Sequence, residues 1–150
     1  MALVWTAELD TGIELIDQQH RKIVDYINQL EEVDRSGDRA GVGKVLHELL
    51  DYTISHFAFE ENLQEEAGYR FAKPHRKVHE LFTRRAKEYV ANFEAGQDVT
   101  EEVHGMLSAW LVNHIKRDDA DYVGAVKENM QHIIKEKERK GRGWLSRFFR

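Results

Sequence analysis

The chain contains no cysteine and a single proline in 150 residues. The absence of thiols excludes a disulfide scaffold, a thiolate zinc site, an iron–sulfur cluster and a cysteine nucleophile. No apolar run approaches the roughly 18 residues that a membrane span requires. The first ten residues carry neither a basic segment nor a long apolar stretch, so no secretory signal is expected there and a reducing, cytoplasmic setting is the default. Alternating strand patterns, turn dipeptides between apolar runs and internal repeats are also lacking. What remains, 41% hydrophobic and 33% charged residues, suits one soluble globular domain with a charged surface.

Charge is unevenly distributed. Residues 135–150 hold seven basic side chains against two acidic ones, a net of +5, so the other 134 residues carry −10 of the overall −5. An acidic body argues against nucleic-acid binding, and the basic tail suggests a contact of its own. Eight histidines are more than a chain of this length usually has, which directs attention to metal-ligand spacing.

Helical periodicity dominates. Residues 1–12 read as an irregular lead-in, with Trp5 and Leu9 plugging onto the core. Ile16, Ile23, Ile27 and Leu30 predict a first helix over about 13–35, stopped by Ser36-Gly37-Asp38. Val42, Val45, Leu46, Leu49, Tyr52, His56, Phe59 and Leu63 predict a second over about 39–66, ended by Gly68. A third covers about 71–94, with Pro74 tolerated in its first turn, Val78, Leu81, Phe82 and Tyr89 inward, and Gly96 as the stop. Asp98 or Thr100 is placed to cap a fourth, which turns Val103, Met106, Leu107, Trp110 and Leu111 inward. Asp118-Asp119 marks a break or bend. The fold class is therefore all-α, an antiparallel up-down-up-down four-helix bundle with a C-terminal helical extension. The bundle occupies 1–122. The extension, 123–150, carries an amphipathic stretch over about 120–140 and a hinge at Gly141 and Gly143.

Three pairs of residues carry chemistry. His56 and Glu60 are four apart on the second helix, and His75 and His79 are four apart on the third; each pair shares a helix face. His114 and Asp119 are five apart, about 140° out of phase on a regular α-helix, so they meet only if the helix bends or ends between them. His20 is the candidate from the first helix. All lie where apolar core residues are expected, and buried imidazoles and carboxylates are costly unless paired or metal-bound. Five histidines and two carboxylates exceed the roughly four to six positions of one transition-metal ion, so two ions bridged by the carboxylates are the economical arrangement. These ligands suit Fe and accept Mn, Zn or Co. The small carboxylate count makes oxidation beyond the ferric level harder than in carboxylate-rich bundle sites, which favours binding O2 over activating it.

Across about residues 1–122 the chain resembles the hemerythrins, specifically the bacterial single-domain ones. The likeness rests on Trp5-Thr6, Asp17-Gln18-Gln19-His20, His56-Phe57 followed by Glu60-Glu61, Gly68-Tyr69, His75 to His79, and Trp110-Leu111-Val112-Asn113-His114-Ile115 followed by Asp119 and Tyr122. The resemblance implies two Fe ions cycling between Fe2+ and Fe3+, with a bridging oxo or hydroxo group. His75, His79 and His114 would hold one iron; His20 and His56 would hold the other, leaving a position for O2; Glu60 and Asp119 would bridge. Asp118, four after His114, is not the family's ligand position. The resemblance also implies Ile23, Phe57, Trp110 and Val112 as walls of the O2 pocket. His47, His104 and His132 fall outside the motif and read as surface or structural residues.

The expected function is reversible O2 binding at a non-haem diiron centre, for carriage, storage or delivery, without enzymatic turnover. The alternatives are an O2 or redox sensor signalling through the extension and a diiron redox enzyme handling peroxide or nitric oxide; zinc-dependent hydrolysis fits least. Trp144, Leu145, Phe148 and Phe149 with Arg142, Arg147 and Arg150 form a basic amphipathic pattern, suited to an anionic membrane surface at the inner face or a protein client. The alternative for that segment is folding back onto the bundle or pairing with a second copy. A monomer is favoured.

Overall fold

The computed structural model describes the backbone of residues 2–148 and the side chains of that range other than those at 137 and 141–148. Four long helical runs follow a short lead-in: α1 (Glu14–Arg35), α2 (Arg39–Glu66), α3 (Ala72–Glu94), and a last run of α4 (Thr100–His114), a π turn (Ile115–Asp119) and α5 (Ala120–Phe148). α1 packs on α2 and α4, and α3 packs on α2 and α4. The connections are three to five residues long, so consecutive helices run antiparallel and close into the expected bundle.

The stops lie where glycine permits them. Gly68 and Gly96 have φ of +67° and +99°, conformations that a Cβ disfavours. Around them Tyr69 N–H donates to the Gln64 carbonyl and Gln97 N–H to that of Asn92, both at 3.0 Å. The last orphan carbonyls of α2 and α3 are thereby satisfied. Asp38 caps α2, its Oδ1 accepting from Gly41 N–H at 3.0 Å. α4 departs from expectation: its N-cap is Val99, and neither Asp98 nor Thr100 supplies a side-chain cap. Glu101 and Glu102 in its first turn offset the helix dipole instead.

Along each helix a polar layer interrupts the apolar stripe. From its N-cap Ile13, α1 runs Ile16, then His20, then Ile23 and Ile27. α2 runs Leu46, Leu49 and Phe57, then Glu60, then Leu63. The last run has Leu111 and Ile115, then Asp119, then Tyr122 and Val126. The residues before and after the polar layer belong to two separate apolar clusters, so packing on both sides fixes its height in the bundle.

The lead-in is tied down as expected of its plugs. Leu9 is buried, Trp5 packs half-buried on the core, and Asn28 bonds both backbone groups of Leu3, at 2.8 and 2.9 Å. Two expectations fail, Leu81 as a core residue and the hinge at Gly141 and Gly143. Leu81 points outward, 58% exposed, because Phe82, Ala86 and Val90 already form the inward stripe of α3. Ile133 and Ile134 are exposed as well, since α5 there has passed the end of the apolar clusters. No hinge forms at Gly141 and Gly143; α5 continues through both to Phe148, glycine in a helix interior costing only about 1 kcal/mol. The contacts expected of Trp144, Leu145, Phe148 and Phe149 lie outside the described residues.

Candidate metal centre

The seven predicted ligand residues are all buried and all converge. α1 supplies His20, α2 His56 and Glu60, α3 His75 and His79, α4 His114, and the π turn Asp119. They form two groups that share both carboxylates: Glu60, His75, His79, His114 and Asp119, and His20, His56, Glu60 and Asp119. In each, the candidate ligand atoms lie within 4.8 Å of one another. The π turn resolves the five-residue spacing of His114 and Asp119. Ala120 N–H donates to the Ile115 carbonyl, an i→i+5 bond that widens the turn by one residue. His114 Nε2 then lies 3.0 Å from Asp119 Oδ1.

Each carboxylate divides its oxygens between the groups. Glu60 Oε1 is 3.2 Å from His20 Nε2 and 2.8 Å from His56 Nε2, while Oε2 is 3.3 Å from His79 Nε2 and 3.8 Å from His75 Nε2. Asp119 Oδ2 is 3.1 Å from His20 Nε2, while Oδ1 is 3.1 Å from His75 Nε2 and 3.0 Å from His114 Nε2. Two carboxylates thus stand between a pair of imidazoles and a trio.

Outer partners orient the rings. Gln19 Oε1 accepts from His56 Nδ1–H at 2.6 Å, Glu61 Oε1 from His79 Nδ1–H at 3.2 Å, and Asp118 Oδ2 from His114 Nδ1–H at 2.9 Å. With Nδ1 protonated by these acceptors, the neutral rings present Nε2 lone pairs inward, the arrangement of metal-ligating histidines. Phe57 stacks on His79 at 3.8 Å and Trp110 on His114 at 4.3 Å. Tyr122, fully buried, donates its hydroxyl to Glu60 Oε1 at 3.2 Å. Burial above all, then the charges of Glu60 and Asp119, push the Tyr122 phenol far above its usual range, so it remains a donor.

The residues fit a metal. Glu60 Oε2, His75 Nε2 and both Asp119 oxygens are buried without a hydrogen-bond partner. His79 Nε2 and His114 Nε2 face each other at 2.9 Å, and at most one proton fits between them. A cation satisfies these groups together, and otherwise protons must. Burial, the largest single influence, lowers the pKa values of His20 and His75, but Asp119 and Glu60 outweigh it and raise both to about 9. The His114 imidazole is raised by the same balance. Burial works to raise Glu60 and Asp119, and the surrounding imidazoles overcome it and hold both carboxylates low.

A small cavity adjoins the site, with about 10 Å³ open to the centre of a water molecule, room for one water. His20, His56 and His114 border it, and Ile23, Phe57 and Trp110 line it. Val112 does not; half-buried, it packs against the core from the flank of α4. Leu111, one residue earlier and about 100° around the helix, lines the cavity instead. His47 pairs with Glu94 at 2.8 Å and His104 with Glu31 at 3.4 Å. Both pairs, and His132, stay outside the two groups.

Residues 11–126 match the family model Hemerythrin, described as the hemerythrin HHE cation binding domain. The chain is 52% identical over 145 residues to a bacteriohemerythrin of Pseudomonas aeruginosa (strain LESB58), covering 97% of this chain and 94% of that protein. It is 34% identical over 125 residues to the bacteriohemerythrin of Methylococcus capsulatus (strain Bath), covering 81% and 95%. A crystal structure of wild-type hemerythrin superposes with a TM-score of 0.80 at 31% identity, covering 84% of this chain and 98% of that one.

Proposed function

Since the chain belongs to the hemerythrin family, we propose that it binds O2 reversibly at a non-haem diiron centre and acts in oxygen carriage, storage or delivery rather than as an enzyme. The observation that carries this reading is the divided carboxylates. Glu60 and Asp119 each give one oxygen to the His20–His56 side and one to the His75–His79–His114 side. Two metal positions follow, and the side with two histidines has one protein ligand fewer, which leaves a position for a small molecule. The cavity against His20 and His56 has room for about one water-sized molecule, which suits a ligand of two or three atoms at an open metal position and excludes a bulky substrate. Two irons joined by an oxo or hydroxo group would supply the electrons that take up O2 and recover them on release.

The protein's own part is to fix and shelter that pair. Gln19, Glu61 and Asp118 lock the rings, and the stacked Phe57 and Trp110 keep them in place. The apolar walls, Ile23 and Leu111 among them, keep bulk solvent from the site, which slows loss of reducing equivalents. Among the described residues no helix is long and apolar enough to cross a membrane. The same proposal places the chain in the cytoplasm, with the basic extension contacting the inner membrane face or a protein client. A second reading, an O2 or redox sensor, draws on one observation: Asp119 lies in the π turn that leads directly into α5.

The test is a visible spectrum of the reduced, iron-loaded protein cycled between argon and air. A charge-transfer band that appears with air and vanishes under argon over repeated cycles is expected, at two irons per chain. One-way conversion to a diferric spectrum on first exposure overturns reversible binding.

A further inference from the structure

Thr53 is the one polar side chain in a partition between two cavities. With Phe82 and Leu107 it lines both the small cavity at His20 and His56 and a neighbouring one walled by Leu46, Leu49 and Ala86. Thr53 is 3% exposed and its Oγ1 has no partner. A threonine inside a helix ordinarily satisfies its hydroxyl on the carbonyl four residues back; Thr53 does not. Valine has nearly the same shape, so packing alone gives no reason for a hydroxyl here, and an unpaired buried hydroxyl is costly. Among the described residues, one other that lines the same cavity, His20, also carries a buried atom without a partner, its Nδ1. The other inward-facing rings with assigned outer partners, His56, His79 and His114, place Nδ1 on a side-chain acceptor. The cavity has room for one water, and a buried water requires two or more polar partners.

We propose that the Thr53 hydroxyl, with His20 Nδ1, holds a single water in this cavity, and that the same hydroxyl donates to the small hydrogen-bond-accepting ligand that displaces it. Thr53 is then a specificity-determining residue for the open position: it favours ligands with an acceptor atom over purely apolar ones of equal size. The ligand half of this proposal rests on the function given above; the water half does not.

The experiment is an azide titration of the iron-loaded diferric protein, with Thr53→Val and Thr53→Ser beside it, and a high-resolution crystal structure of the protein without added ligand. Thr53→Val is expected to bind azide about 5–10-fold more weakly, the effect of one net hydrogen bond, with Thr53→Ser restoring affinity to within about twofold. The crystal structure is expected to show a water within about 3.2 Å of Thr53 Oγ1. Equal azide affinity in Thr53→Val, or a dry cavity in the wild type, overturns the proposal. If the wild type takes up two irons but binds no azide, the O2-binding reading fails, and the occupancy at Thr53 Oγ1 decides the water independently.

Discussion

His114 is held by two adjacent aspartates at once. Asp118 Oδ2 accepts from its Nδ1–H at 2.9 Å while Asp119 Oδ1 lies 3.0 Å from its Nε2. On a regular α-helix neighbours in sequence diverge by about 100° and would not both reach one imidazole. The π turn brings them there, one behind the ring and one in the polar layer.

The outer aspartate therefore has a measurable role. Asp118→Ala leaves the seven inner residues unchanged but frees the His114 ring to rotate and lowers its basicity. Metal affinity is expected to fall about 10–100-fold, read by competition with a chelator, with the helical circular dichroism preserved.

Removing a divided carboxylate acts differently. Asp119→Asn leaves His20, His75 and His114 without the anion they share. The metal content of the purified protein is expected to drop from two ions per chain to one or none, by elemental analysis. A retained pair of ions would show that Glu60 bridges alone.

Protonation gives a third expectation. In the metal-free protein His20 and His75 titrate near 9 rather than at the ordinary 6.5. A raised folded-state pKa contributes stability that is complete below about 6.5 and lost as pH rises through about 9. The Tm of the metal-free protein is expected to decline over that interval. Metal replaces those protons, so the loaded protein should show a much shallower decline, and loading at pH 7.5 should release protons to the buffer, measurable by calorimetry in buffers of different ionisation enthalpy.

The aromatic wall offers a fourth. Trp110 stacks on both His114 and Phe82, at 4.3 and 4.0 Å, and lines the cavity. Trp110→Ala is expected to cost about 2–3 kcal/mol in denaturant unfolding, below the roughly 3–5 kcal/mol of a fully buried Trp because Trp110 is half-buried. By admitting water it should also shorten the lifetime of the reduced protein in air.

Much of this was legible in the sequence because the chemistry follows helical spacing. His56 with Glu60 and His75 with His79 declare themselves at i, i+4, and α1, α2 and α3 each end two residues before a glycine stop, Gly37, Gly68 and Gly96. The outer partners were missed, although each stands beside a ligand in sequence: Gln19 next to His20, Glu61 next to Glu60, Asp118 next to Asp119. Gln19 and Glu61 serve rings on other helices, His56 and His79, so only the assembled bundle reveals those pairings; Asp118 stands four after His114, a spacing visible in the sequence but readable there only as an i, i+4 neighbour. The spacing of His114 and Asp119 asks for a bend or an end to the helix, and the structure meets that demand with a π turn inside a continuous helical run. No local preference asks for it; the demand comes from the carboxylate that must reach the polar layer. Leu111 and Val112 are adjacent apolar residues, and periodicity alone does not say which meets the cavity. Leu81 was misplaced because a leucine on an amphipathic helix reads as core, while Phe82 already filled that face.

The π turn also works as a compass for everything behind it. One residue more or less in a helix swings all later side chains by about 100°. The bearing of Ile133 and Ile134, which lie exposed on α5 beyond the apolar clusters, is therefore set by the same turn that delivers Asp119. Whatever meets that outer stretch of α5 encounters a heading dictated from the metal layer, so a shift between wide and regular turn at residues 115–119 would act there as a rotation.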